Sequence, residues 1–167
     1  MPRPSRISTA PLAVQLLREG IVESVHQVHA VVADSRGRVL SAAGDAEHAS
    51  FIRSALKPFQ AMAMASTGAL DVFNLTDKDL AIICGSHQGL TAQARQVFGI
   101  LWRADLEPTC LQCPIPKGKK SPLEHNCSGK HAGMLAVCKQ PGWELSSYLQ
   151  RNQPLPKLIP KRLAGML

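Results

Sequence analysis

A mixed α and β fold is predicted, on three observations. An apolar strand, a tight turn and a return strand stand near the start of the chain, and stretches with helical periodicity follow. Aromatic residues make up only 4% of the chain, so aliphatic runs such as A-V-V-A-D and L-A-I-I-C must fill most of the interior, a composition compatible with an α/β core. With 167 residues the chain is long enough for one compact domain with its own core. Hydrophobic residues at 45% and charged residues at 19% are ordinary globular usage, which excludes a disordered or collagen-like chain.

Residues 1–11 read as a flexible N-terminal tail. Prolines at 2, 4 and 11 argue against a sustained amphipathic helix, and no apolar run of a secretory signal is present. Between Ser24 and Leu40 a strand through H-A-V-V-A, a turn at Asp34-Ser35-Arg36-Gly37 and a return strand through R-V-L predict a β-hairpin. Ser54 to Ser66 carries helix formers closed by Gly68. Pro58 is tolerated there only in the first turn, which places Ser54 at or near the helix start. The continuous apolar run L-A-I-I-C, ending at Gly85, predicts a buried strand. Thr91 to Trp102 returns to helical periodicity with Ala94, Val97, Phe98 and Leu101 on one face. A long loop is expected from Glu107 to Asn126, then a helix from Ser128 to Cys138. The pattern is still running at A-G-M-L, so the domain is expected to be incomplete at Leu167.

The net charge of +7 is scattered except for Lys117, Lys119 and Lys120 and an exposed tail around Lys157, Lys161 and Arg162. No basic stripe interleaved with aromatics appears, so a nucleic-acid partner is not expected. No stretch is long enough to span a bilayer, so no membrane partner is expected and a cytoplasmic location is. Five cysteines, an odd number, suggest reduced thiols. Cys110 and Cys113 form a single C-x-x-C in a proline-flanked segment, a weak metal signal without a second pair.

Three motifs concentrate reactive groups. In Ser54-Ala55-Leu56-Lys57 the i, i+3 spacing puts both side chains on one helical face. A serine hydroxyl needs its proton removed to become a good nucleophile, and a lysine removes such a proton when desolvation disfavours a charged amine. Phe51, Leu56 and Phe59 could supply that desolvation. Alone the pattern is weak, since Ser and Lys at about 6% each give roughly one chance match per two chains of this length. Gly85-Ser86-His87-Gln88-Gly89 lies where the apolar run leaves the core, and its glycines would let Ser86 meet a substrate or relay a proton. A lone histidine such as His87 is usually structural. Asn126-Cys127-Ser128-Gly129-Lys130-His131-Ala132-Gly133-Met134 opens a helix. There Cys127, three residues from Lys130, reads equally as a metal ligand or nucleophile and as a small buried thiol.

Taken together and in this order, R-S-A-L-K-P-F-Q at 53–60, G-S-H-Q-G at 85–89 and N-C-S-G-K-H-A-G-M at 126–134 resemble the asparaginase II family. R-E-G-I-V-E-S-V-H at 18–26 is similar to that family's opening strand and turn, so the resemblance covers residues 12–167 as the N-terminal half of a longer domain. It implies an α+β fold with helices packed on an antiparallel sheet, similar to serine β-lactamases and penicillin-binding proteins. It also implies hydrolysis of L-asparagine to aspartate and ammonia. By the same resemblance Ser54 attacks, Lys57 is its base, and Ser86 belongs to a second Ser/Lys pair. Arg53, His87 and Asn126 contact substrate, Cys127 and Lys130 help bind zinc, and a homodimer is a candidate assembly. The family's later half brings a further cysteine and lysine. Where the family usually shows Glu and His after Gly89, this chain has Leu90 and Gln93. Two other readings compete: a penicillin-recognising acyl transferase, because S-x-x-K serves that chemistry too, and a truncated, non-catalytic binding domain.

Overall fold

The computed structural model describes residues 7–165, so most of the expected tail, residues 1–6, lies outside the described residues. The chain divides into two compact units, residues 1–51 and 52–167, where a single domain is expected from length.

The first unit is all strand. β1 (Ile7–Thr9), β2 (Leu12–Arg18), β3 (Ile21–Val28), β4 (Ala30–Ala33) and β5 (Val39–Ala43) form a three-stranded sheet ordered β1-β5-β4 and a separate β2-β3 pair. Residues 7–9 of the expected tail are thus a strand. β2 and β3 are joined by Glu19-Gly20, with φ of +50° and +82°. Two successive positive φ values suit the right-handed twist of the flanking strands. The predicted β4-β5 hairpin is present, its turn held by Asp34, whose carboxylate accepts the N–H groups of Arg36 and Arg38, both at 2.9 Å. The antiparallel sheet holds for β2-β3 and β4-β5, whereas β1 joins β5 in parallel.

The second unit is helical: α1 (Lys57–Ala65), α2 (Ala69–Val72), α3 (Asp77–Cys84), α4 (Thr91–Arg103), α5 (Ser128–Lys139) and α6 (Pro154–Ala164). A 3₁₀ turn at Arg53–Leu56 leads into α1. Its core gathers Met64, Ile83, Val97, Ile100, Leu101, Leu135, Tyr148 and Leu155. α5 is buried nearly all round and packs on α1, α3 and α4, as expected of a helix without a polar face.

The run L-A-I-I-C is helix, not strand. A short apolar run does not distinguish the two, and local capping decides: Asp79 accepts both the N–H and the hydroxyl of Thr76 at 2.7 Å, starting α3. Asp79 itself is 0% exposed and also takes Arg103 at 2.5 Å and Gln96 at 2.6 Å. Burial pushes its carboxyl up, but the bonds from Thr76 and Gln96 and the Arg103 charge win and hold it low. On α4 the core face includes Ile100, while Phe98 stays exposed and stacks on Trp102. Of the basic tail residues, Lys157 lies in the first turn of α6 and Lys161 and Arg162 in the last, on a helix anchored by Leu155 and Ile159. Among the described residues no helix is long and apolar enough to cross a membrane.

Candidate active site

The turn from 3₁₀ to α geometry at Lys57 sets the site. The Lys57 backbone N–H bonds the Ser54 carbonyl, and Pro58 follows in the first turn of α1, where its missing N–H costs nothing. The Lys57 side chain enters the helical unit and is 2% exposed. Its amine reaches the Gly85 carbonyl at 2.9 Å, the Ser86 hydroxyl at 2.8 Å and the Asn126 carbonyl at 3.2 Å. These partners suit both protonation states. An ammonium donates to all three; a neutral amine donates to the two carbonyls and accepts the Ser86 O–H. In either state the amine and the Ser86 hydroxyl stay hydrogen-bonded without heavy-atom movement.

Ser54 and Lys57 line one open cavity of about 280 Å³ with Arg53, Gln60, Cys127 and Lys130. No hydrogen bond joins the Ser54 and Lys57 side chains among the described residues; the lysine amine is turned to the 85–86 backbone and Ser86 instead. Arg53, directly before Ser54, has φ of +49°, a left-handed conformation that costs a non-glycine residue energy and is common at functional sites. The cavity lining has three basic side chains and no carboxylate. Ser86 opens on the other side, into a groove of about 380 Å³ between α3 and α4 that includes Gln93 and Gln96. Lys57 thus bonds Ser86 and shares a cavity with Ser54, and the two serines line separate openings.

Asn126 contributes its backbone carbonyl to Lys57, and its side chain is exposed. His87 is 8% exposed and has both ring nitrogens occupied by Gly89 and Ser128. Burial first, then the charges of Lys57 and His125, hold His87 below the ordinary imidazole value. The same causes act on His131, lowered to about 4 by burial, Lys130, His125 and Lys57, so it is neutral near pH 7. Its Nδ1 lies 2.6 Å from the Tyr148 hydroxyl, which burial keeps protonated and which therefore donates to the ring. The sequence alone does not single out Ser128 or Tyr148. Ser128 stands inside the third motif beside Cys127, which was the available signal; nothing local marks Tyr148.

A family model, L-asparaginase II, matches residues 14–167. The chain belongs to the L-asparaginase II family. A comparison with curated proteins found no match.

The zinc suggested by resemblance to asparaginase II proteins was tested against the residues present. Zinc takes about four nitrogen, sulfur or oxygen ligands in tight tetrahedral geometry. Cys127 and Lys130 line the same cavity, but among the described residues no group of three or more His, Cys, Asp or Glu is placed to hold a metal. Cys113 is buried, and its thiol donates to the Pro122 carbonyl at 3.5 Å. Among the described residues these do not make up a zinc set. All five cysteines are free thiols.

Proposed function

We propose that this chain carries the Ser/Lys half of an L-asparaginase site and hydrolyses the side-chain amide of L-asparagine. The observation that supports this most is the buried Lys57 amine, 2.8 Å from Ser86 and lining the cavity of Ser54 one turn earlier. In the reaction, Ser54 Oγ adds to the amide carbon and its proton passes to the Lys57 amine. Apo geometry with the two side chains unbonded is compatible with this, because catalytic hydrogen bonds often form only with substrate present. The tetrahedral intermediate then expels ammonia, which takes its proton back from the Lys57 ammonium. Water cleaves the resulting ester, returns a proton to Ser54 and releases aspartate. Splitting the hydrolysis through an acyl-enzyme lowers each barrier.

Arg53 and Lys130 suit the substrate carboxylate, and the positive field around Lys57 favours the developing oxyanion, as do backbone N–H groups at a helix start. A serine β-lactamase-like ancestry of the helices and a cytoplasmic location belong to this reading, as does a homodimer. A second reading, with Ser86 as nucleophile and Lys57 as its base, is favoured by the short Lys57–Ser86 bond. Ammonia release from L-asparagine by the purified chain tests the activity. Loss of that release in Ser54→Ala and not in Ser86→Ala supports the first reading, the reverse supports the second, and no release from the parent chain refutes both. Fast acylation of Ser54 by a penicillin would instead favour the acyl-transferase alternative.

A further inference from the structure

His87 follows Ser86 directly, and its hydrogen bonds fix its protonation atom by atom. The Gly89 N–H approaches His87 Nδ1 at 3.1 Å. A backbone N–H only donates, so Nδ1 accepts and the neutral ring carries its proton on Nε2. Nε2–H then donates to Ser128 Oγ at 2.8 Å, and the Ser128 hydroxyl donates to the Leu123 carbonyl at 2.7 Å, an acceptor that ends the chain.

Both ends of this chain are anchored. Ser128 is fully buried at the start of α5. Gly89 has φ of +69°, and a Cβ there would run into the backbone of Glu124. The His87 N–H adds a bond to the Asn126 carbonyl at 3.3 Å, the same oxygen that receives the Lys57 amine. One residue therefore ties the 85–89 segment to the 123–128 segment through both its ring and its backbone. These two segments carry all three acceptors of Lys57: the Gly85 carbonyl, Ser86 Oγ and the Asn126 carbonyl.

We propose that His87 is a positioning residue: in its Nε2–H form it clamps the two segments together and so holds Ser86 at proton-transfer distance from Lys57. This gives His87 a role through other residues and not through the substrate, since neither ring nitrogen is free. It rests on the Ser/Lys reading for its catalytic meaning, and on the geometry alone for its effect on Lys57.

The test measures the Lys57 amine directly, without turnover. The purified chain and variants are treated briefly with acetic anhydride, and Lys57 acetylation is followed by peptide mass spectrometry alongside the thermal midpoint. His87→Ala is expected to raise Lys57 labelling roughly tenfold, the scale of losing one charge-free hydrogen bond. His87→Gln, whose amide nitrogen can reach Ser128, is expected to restore most of the protection. Ser128→Ala removes the partner of Nε2 from the other side, and carries the test should His87→Ala fail to fold. Ring ¹⁵N NMR of the parent chain is expected to show Nδ1 bare and Nε2 protonated. Unchanged labelling in folded His87→Ala or Ser128→Ala, or a proton on Nδ1, would overturn the proposal. With L-asparagine, His87→Ala is expected to lower kcat with KM nearly constant, and His87→Gln to recover it. A parent chain without turnover refutes the Ser/Lys reading while the labelling result still decides the role of His87.

Discussion

Gly129→Ala is a small change that reaches the site through packing. Gly129 lies in the first turn of α5, against the end of α3. A Cβ there would stand 2.8 Å from the Ile82 carbonyl carbon and 3.2 Å from its Cγ1, and closer still to the carbonyl oxygen. Ordinary contact begins near 3.4 Å, so the backbone at Ile82 must retreat by about 1 Å to free its carbonyl oxygen, and backbone has no rotamer with which to avoid the clash. Ile82 is three residues before Gly85 and four before Ser86. A retreat of that size carries the bonds from Lys57, now 2.9 Å to Gly85 and 2.8 Å to Ser86, past the range in which they are strong. Overpacking of this kind costs about 1–3 kcal/mol. At roughly 2–4 °C per kcal/mol for a chain of this size, the thermal midpoint falls by several degrees. On the proposed Ser/Lys reading, ammonia release from L-asparagine falls on the order of 10²-fold, the effect of displacing a reacting group by about 1 Å. Differential scanning calorimetry and an ammonia-release assay read the two effects. An unchanged midpoint together with unchanged turnover would refute the claim that the α3–α5 spacing sets Ser86 against Lys57.

Lys57→Met keeps most of the unbranched stem but removes the base, and is expected to lower ammonia release by about 10²–10⁴-fold with the circular dichroism spectrum retained; turnover within a few-fold of the parent would contradict this. Asp79→Asn replaces the acceptor of Thr76, Gln96 and Arg103 and leaves Arg103 without its ion partner, at a cost of about 3 kcal/mol by urea unfolding; a loss under half of that would show the network to be weak. Because the folded carboxyl of Asp79 is held below its ordinary value, its stabilisation is complete above the unfolded value of about 4 and is lost as pH falls through the folded one. The thermal midpoint of the parent should accordingly drop more steeply between pH 5 and 3 than that of Asp79→Asn, and parallel curves would count against the assignment. Tyr148→Phe leaves His131 Nδ1 and the Gln112 N–H without their partner, and is expected to destabilise by about 1–3 kcal/mol, checked by the same unfolding measurement.

Local chemistry was legible where one short-range signal dominated. The Asp34–Gly37 turn, the place of Pro58 in the first turn of α1 and the helix after Asn126 all follow from residues within a few positions of one another. The L-A-I-I-C run misleads because its apolar length fits either a strand or a buried helical turn, and the deciding Thr76–Asp79 contact precedes it. At the site, the S-x-x-K spacing led to Lys57 but not to where its amine goes. Its partners at 85, 86 and 126 are distant in sequence, and only the packing of α1, α3 and α5 brings them together. His87 gave the same difficulty: its pairing with Ser128 spans 41 positions and has no periodic signature.

Covalent trapping with a diazoketone analogue of L-asparagine, read by peptide mass spectrometry, puts the proposed chemistry to its sharpest test. One analogue adduct per chain on Ser54, absent from Lys57→Met and blocked by L-asparagine, is the predicted result. An adduct on a side chain other than Ser54, or labelling of Ser54 that persists undiminished without the Lys57 amine, would contradict it.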